Sequence, residues 1–404
     1  MNIPLKQRLF YFFPTLFCFC LPFGSLVLSG IIILWVASSL FNIDKLQFKK
    51  GITNKNALLL FLFFAITLIS ALFSKNKSTA SFEIENKLSF ILLPYLLFCF
   101  EIPVPLIKRF IVSFVSGCFF ACIVLIIRSS YYSFNGQSDY FFYTLFSYFI
   151  HPSYFAMYLI LAIVLVILFY AKWFANQKSI VISSYIFVLL FGITLFLCAS
   201  KLGLISFVII LPILILHQLK TFLNTKKIIL IFCSVVILIG ISSKLFPTVF
   251  ERLNSITTLN INQLDKTSSE STTVRFLIWQ QAIELIQHNF LFGTTVGDAN
   301  DALYTTYKQN GLTGALEHKL NAHNQFMQTF IGLGLIGFIS LCLITIWQLI
   351  KAIKQKHFLL IVFSLLIILN FLVESMLQSM AGTLFFVFFY CVFNLTSIQK
   401  LIDE

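Results

Sequence analysis

ALLLFLFFAITLISALFS, residues 57–74, carries no charged side chain, and it is one of a series of such runs separated by short polar breaks. About 20 consecutive apolar residues cross the hydrocarbon core of a bilayer. That window, moved along the chain, predicts spans near 9–22, 24–41, 57–74, 87–100, 107–130, 153–171, 179–199, 202–218, 227–245, 322–349, 357–374 and 379–397. The expectation is an all-α integral membrane protein of about 12 transmembrane helices, with a tight hairpin at Pro22 and Gly24 between the first two. Composition agrees: 59% of the 404 residues are hydrophobic and 11% charged, where a soluble domain carries about 25% charged residues.

The net charge of +13 would suit nucleic acid only if the basic residues shared a folded surface. They lie instead in the breaks between apolar runs, so no nucleic-acid partner is expected. With the N-terminus inside, the inner breaks carry Lys6 and Arg8; Lys45, Lys49, Lys50 and Lys55; Lys108 and Arg109; Lys172 and Lys178; Lys220, Lys226 and Lys227; Lys351, Lys354 and Lys356; and Lys400. Basic inner connections set orientation, so both termini are expected in the cytoplasm and the longest polar segment outside. Lys6 and Arg8 ahead of an apolar run imitate a leader. No small-x-small cleavage site closes that run, and a retained first span is expected. All nine cysteines fall in or beside apolar runs without CxxC or metal-ligand spacing, and read as packing residues.

The expected organisation is nine spans over residues 1–245, an outer loop over 246–321 and three spans over 322–404. A loop of that length is commonly functional. It contains a Ser/Thr-rich run from Thr267 to Thr273, then VRFLIWQQAIELIQHN, residues 274–289, whose mixed pattern predicts an amphipathic helix ended by Gly293 and Gly297.

Ionisable groups at a membrane edge are costly and default to functional hypotheses. Five are expected at the outer boundary: His151 before Pro152, Lys201 in CASKLG, Arg275 at the start of the loop helix, His323 before Asn324, and Glu374 at the end of an apolar run. Lys201 and Arg275 suit a phosphate or diphosphate, Arg through its planar fork and Lys as a point charge. A histidine beside them could take a proton from an attacking hydroxyl. Each also has a plainer reading: Lys201 as a snorkelling interfacial lysine, Arg275 as a solvated charge, His323 as a helix cap, His151 as a turn residue, Glu374 as a partner for a neighbouring helix end. Gly332-Leu-Gly334-Leu-Ile-Gly337 matches GxGxxG, yet it lies inside an apolar run rather than after a strand, so it reads as helix packing and not as a nucleotide loop.

Arg275, Trp279, Gly293, Gly297, His323-Asn324 and the glycines at 332, 334 and 337, preceded by Ser200-Lys201-Leu202-Gly203, stand in an order that resembles the O-antigen ligase and polymerase superfamily. The resemblance covers about residues 195–345 and is one of topology elsewhere. It implies a GT-C-like glycosyltransferase of the bacterial inner membrane with one large periplasmic loop. Such an enzyme moves a glycan from an undecaprenyl diphosphate carrier to a lipid or glycan acceptor, by inverting transfer without metal or other cofactor. It further implies that His323 is the catalytic base and that Lys201 and Arg275 bind the carrier diphosphate, with Trp279, Asn324, His151 and Glu374 supporting. Lys201 stands where the family usually has arginine, which keeps the charge and loses the bidentate fork. Ligase and polymerase differ in the acceptor, and both remain open at this point, as does transport by a polytopic carrier. A transporter would tend to show repeated halves and polar residues at the membrane midplane, and neither is visible here.

Overall fold

The computed structural model describes residues 5–170, 173, 178–219, 265–267 and 271–403. Every regular element among them is helical and no strand occurs, as expected for an all-α chain. The predicted span 227–245 and the start of the predicted outer loop lie outside the described residues. The chain divides into two compact units, residues 1–117 with 265–404, and residues 118–264.

In chain order the helices are α1 (Leu5–Cys20), α2 (Ser25–Ser39), α3 (Lys45–Ile52), α4 (Lys55–Phe73), α5 (Lys77–Lys87), α6 (Ser89–Phe98) and α7 (Val104–Phe134). They continue with α8 (Pro152–Leu165), α9 (Lys178–Leu197), α10 (Lys201–Leu219), α11 (Ser271–His288) and α12 (Ala299–Asn310). The last four are α13 (Gln325–Lys354), α14 (Phe358–Val373), α15 (Met380–Phe393) and α16 (Thr396–Asp403).

The first unit is built around α15, which is buried on all sides from Gly382 to Phe393. A helix apolar all round belongs in a core, and here phenylalanines supply the contact. Phe388 meets Phe17 of α1 at 5.0 Å, Phe389 meets Phe114 of α7 at 4.8 Å and Phe386 meets Phe371 of α14 at 5.4 Å between ring centroids. Helix α13 packs along α14 and α4, and α11 lies against α13. Short polar side chains start these helices by accepting from otherwise unpaired N–H groups. Asn54 caps α4, Asn76 caps α5, Asn324 caps α13 and Ser379 caps α15.

The glycine motif in α13 does more than let helices approach. Gly334 leaves helical geometry at φ +63°, ψ −161°, and the turn after α11 enters the break. Leu335 N–H donates to Phe290 O at 2.9 Å and Thr294 N–H to Ile331 O at 2.7 Å. A Cβ on Gly334 would strike the Leu291 carbonyl, and one on Gly293 (φ +70°) would lie 2.5 Å from Ile331 O. The next residues dock on the end of α4: Ser70 Oγ accepts from Val296 N–H and Ser74 Oγ from Gly297 N–H, at 3.0 and 3.1 Å. Asp298 accepts from the N–H groups of Lys75 and Asn76, both at 2.8 Å.

In the second unit α8 is buried along nearly its whole length and is flanked by α9 and α10. Gly203 lets α10 close on α8, since a Cβ there would lie 2.5 Å from that of Ala156. At the end of α7 the Arg128 guanidinium lies 5.1, 5.1 and 4.6 Å from the rings of Tyr132, Tyr140 and Tyr148 and donates to Leu145 O at 2.6 Å. Cation–π contacts of this kind hold the 138–148 segment against the helix.

The expected count of about 12 transmembrane helices is not met. Among the described residues four helices are long and apolar enough to cross a membrane: Lys55–Phe73, Val104–Phe134, Pro152–Tyr170 and Gln325–Lys354. Five more apolar helices are shorter: Val27–Asn42, Tyr185–Leu197, Lys201–His217, Phe358–Val373 and Met380–Phe393. The reason is that an apolar window need not be one continuous helix. The run 9–22 and its successor are cut at Pro22 and Gly24 into helices of 16 and 15 residues. The run 87–100 becomes a helix of only 10 residues, α6. At 1.5 Å per residue such pieces reach about 15–24 Å, short of a core of about 30 Å. In α15 the apolarity serves the protein's own interior. The chain is a multi-pass membrane protein, with fewer full-length spans among the described residues than its hydropathy suggests.

Candidate functional site

Five of the seven residues singled out in the sequence meet in the first unit. The chain leaves α12, makes a single turn at Thr313–Glu317 and returns to the start of α13. His323 stands just before that helix at φ +44°, a left-handed conformation that costs a bulky residue energy and persists only where the surroundings impose it. Asn321 Oδ1 accepts from its N–H at 3.0 Å. Asn324 then caps α13 by accepting from Met327 N–H, and its amide donates to Leu372 O at 3.0 Å, tying the start of α13 to the end of α14.

Glu374, the first residue beyond α14, is placed by that tie. One carboxylate oxygen accepts from Arg275 Nη2 at 3.0 Å and the other faces His323 Nδ1 at 3.4 Å. A single carboxylate therefore bridges a guanidinium from α11 and an imidazole from the turn before α13. In the sequence Glu374 ends one apolar run and His323 precedes another; the joining of Arg275 and His323 through opposite oxygens of Glu374 is a tertiary fact. Trp279, one turn beyond Arg275 on α11, donates its indole N–H to Ala322 O at 3.0 Å and so pins the residue before His323.

The electrostatics are uneven. Arg275 has one nitrogen on Glu374, while its Nε is buried without a hydrogen-bond partner among the described residues. A buried donor left unmatched is a place for an acceptor to arrive. The His323 side chain is 24% exposed and that of Glu374 only 9%, so the imidazole is the member of the pair that a substrate can reach.

His151 and Lys201 belong to the second unit. His151 caps α8, its Nδ1 accepting from Ser153 N–H at 3.4 Å, with Tyr143 and Tyr154 edge-on to its ring. Lys201 opens α10 directly after Ala199 (φ +46°) and Ser200. Ser200 Oγ accepts from Gly203 N–H at 3.1 Å and donates to Ser153 Oγ at 3.4 Å, which brings the starts of α8 and α10 together. Lys201 thus stands at a helix N-terminus, where the helix dipole favours an anion.

Two further residues belong to the surroundings of His323 and Glu374. Gln325 and Gln328, in the first turn of α13, are buried and hydrogen-bonded to the loops that carry Glu374 and His323. The available signal was amides at the mouth of an otherwise apolar run, and nothing in the spacing says what they hold.

Residues 185–342 match the family model described as O-antigen ligase. The matched stretch contains Lys201, Arg275, Trp279, His323 and Asn324, and ends before Glu374. No curated protein matches the chain.

Proposed function

From a membrane protein that carries an O-antigen ligase family domain over part of its length, we propose an enzyme that moves a glycan from undecaprenyl diphosphate to an acceptor hydroxyl, lipid A core or a comparable acceptor, on the outer face of the bacterial inner membrane. The observation that carries this reading is the Glu374 bridge between Arg275 and His323. With Nδ1–H donating to Glu374, the other ring nitrogen, Nε2, holds the lone pair, and a carboxylate so placed fixes the tautomer and stabilises the imidazolium that forms.

The chemistry then assigns itself to these side chains. His323 Nε2 takes the proton of the acceptor hydroxyl as its oxygen attacks the anomeric carbon from the face opposite the carrier. The bond from that carbon to the diphosphate oxygen breaks, its electron pair leaves on the diphosphate, and the configuration inverts. Arg275, through its unmatched Nε, donates to the leaving diphosphate, where charge grows in the transition state. Lys201 takes the second basic position on the strength of Ser200-Lys201-Leu202-Gly203 and of its place at the start of α10. The transfer is proposed as metal-independent, with Arg275 and Lys201 taking the charge that a metal takes in other phosphate-leaving reactions.

The deciding experiment is His323→Ala. The variant should insert and accumulate like wild type and transfer no glycan in membranes supplied with carrier-linked donor. Transfer at the wild-type rate removes His323 as the base and the mechanism with it.

A further inference from the structure

The loops that carry His323 and Glu374 are each held from beneath by one glutamine of α13. Gln328 Oε1 accepts from Ala322 N–H at 2.9 Å, on the residue directly before His323. Gln325 Oε1 accepts from Leu377 N–H at 2.7 Å, three residues after Glu374. The remaining amide groups are used as well: Gln328 Nε2 donates to Asn300 Oδ1 at 2.9 Å and Gln325 Nε2 to Thr329 Oγ1 at 3.0 Å. Both side chains are buried, at 1% and 3% exposure, where an unmatched amide is costly and a matched one is rigid.

The frame extends to α5. Asn86 Nδ2 donates to Leu377 O at 2.8 Å, so that residue is held at both its N–H and its carbonyl. Next to it, Gln378 Nε2 donates to Glu83 Oε2 at 3.4 Å, and Glu83 is ion-paired with Lys87 one turn on, both of them buried. Glu83, Lys87, Gln325, Gln328 and Gln378 line one cavity of about 20 Å³. A ligand site for a small molecule is of the order of 300 Å³ or more. The cluster is therefore too small to bind a sugar or a diphosphate, and its hydrogen bonds run to backbone and to neighbouring side chains rather than toward open space.

We propose that Gln325 and Gln328 are positioning residues, which set the register of the Ala322–His323 and Glu374–Leu377 segments so that the imidazole and the carboxylate meet, with the buried Glu83–Lys87 pair as the anchor of that frame. This rests on the reading of His323 and Glu374 as the pair that activates the acceptor. The left-handed backbone at His323 is what such a frame has to impose, and a misplacement of about 1 Å is enough to slow a reaction on the order of 10²-fold.

The test uses the full-length protein in detergent, with undecaprenyl-diphosphate-linked glycan extracted from a strain lacking the gene as donor and that strain's membranes as acceptor. Gln325→Met and Gln328→Met keep side-chain length and delete the acceptor oxygen. Each should lower kcat by about tenfold or more and leave KM for the donor within about twofold. Gln328→Glu, whose carboxylate still accepts from Ala322 N–H, should recover most of the loss, because the Asn300 amide can turn to donate to it. Wild-type kcat in both methionine variants overturns the proposal, and so does a Gln328→Glu enzyme as slow as Gln328→Met. Where the methionine variants yield no folded protein, Gln328→Glu and Gln325→Glu decide, with a tenfold loss of kcat in both counting against the frame. An active His323→Ala would sink the underlying mechanism, whereas an inactive His323→Ala beside fully active methionine variants would sink the frame alone.

Discussion

In the proposed mechanism Glu374 is the residue on which the chemistry turns, since it serves two partners through two oxygens. Glu374→Gln keeps the size and one carbonyl acceptor but loses the charge that would stabilise the imidazolium. Transfer should fall about 10²-fold, the ordinary worth of positioned acid–base catalysis, with donor KM moved far less. A kinetic comparison at saturating donor checks this, and an unchanged kcat would show that His323 needs no carboxylate. Arg275 and Lys201 divide differently. Arg275→Ala should raise KM for the carrier-linked donor and lower kcat, because it removes a half-buried guanidinium that pairs with Glu374 and, in the proposed mechanism, donates to the leaving group. Lys201→Arg should stay active, since it adds a fork without removing charge, and an inactive Lys201→Arg would argue against a phosphate-binding role at the start of α10.

At the scale of the element, the turn after α11 and the break in α13 are one structure. Gly293 and Gly334 both sit at positive φ with backbone in the space a Cβ would need. Gly334→Ala should cost about 1–3 kcal/mol for the strained backbone alone, with the clash added, and should lower the thermal midpoint in detergent, whereas Gly30→Ala, which meets nothing within 4 Å, should not. The same turn carries a pH dependence. Partial burial works to raise the Asp298 carboxyl, and the donated N–H groups of Lys75 and Asn76 outweigh it and hold the group below its usual range. A depressed folded value means that the docking stability is fully present above the ordinary aspartate range, near pH 4, and is lost as pH falls through the folded value. Protection of the Lys75 and Asn76 amides, measured against the intrinsic exchange rate at each pH, should therefore fall on acidification below about pH 4 and be low at all pH in Asp298→Asn.

Much of this scale was legible in sequence, and its limits are physical. A helix over 274–289 is written in the mixed pattern that yields α11, whereas the cap of α13 is Asn324 and not its neighbour His323. The break at Gly334 is not legible, because the same three glycines fit a close-packed helix until Leu291 is known to lie against them. The number of full-length spans failed for a related reason: a hydropathy window does not separate a run facing lipid from one such as α15 that faces other protein. In the site, Arg275, Glu374 and His323 were visible as costly charges, and their meeting was not, since it depends on how α13 and α14 are tied at Asn324. Gln325 and Gln328 carry no such signal, because an amide declares no partner.

For the whole molecule, the question is which side of the membrane the site faces. Helix α7 has 31 residues, and Arg109 and Arg128 bracket a charge-free stretch within it. At 1.5 Å per residue the two arginines are separated by about 28 Å, close to the hydrocarbon thickness, so each reaches an interface. Arg128 lies among tyrosines, the aromatic company typical of that depth. By the same rule we propose that the basic breaks at Lys108–Arg109 and at Lys351–Lys356 lie on the cytoplasmic side, with α12 and the His323 turn outside. A Gln309→Cys variant, exposed at the end of α12, should react in intact cells whose outer membrane has been permeabilised with a maleimide that cannot cross the inner membrane, above the wild-type background. Labelling only after lysis would put the site in the cytoplasm, where the proposed donor does not present its glycan. With the face settled, the acceptor follows from a deletion strain. A ligase acts on finished chains, so its loss should leave long glycans on the carrier and none on the lipid acceptor; a polymerase joins repeats, so its loss should leave single repeats on the carrier. Carrier lipid extracted from the deletion strain and sized by electrophoresis distinguishes the two. A strain whose carrier-linked and surface glycans both match wild type would remove glycan transfer as the function of the Arg275–Glu374–His323 site.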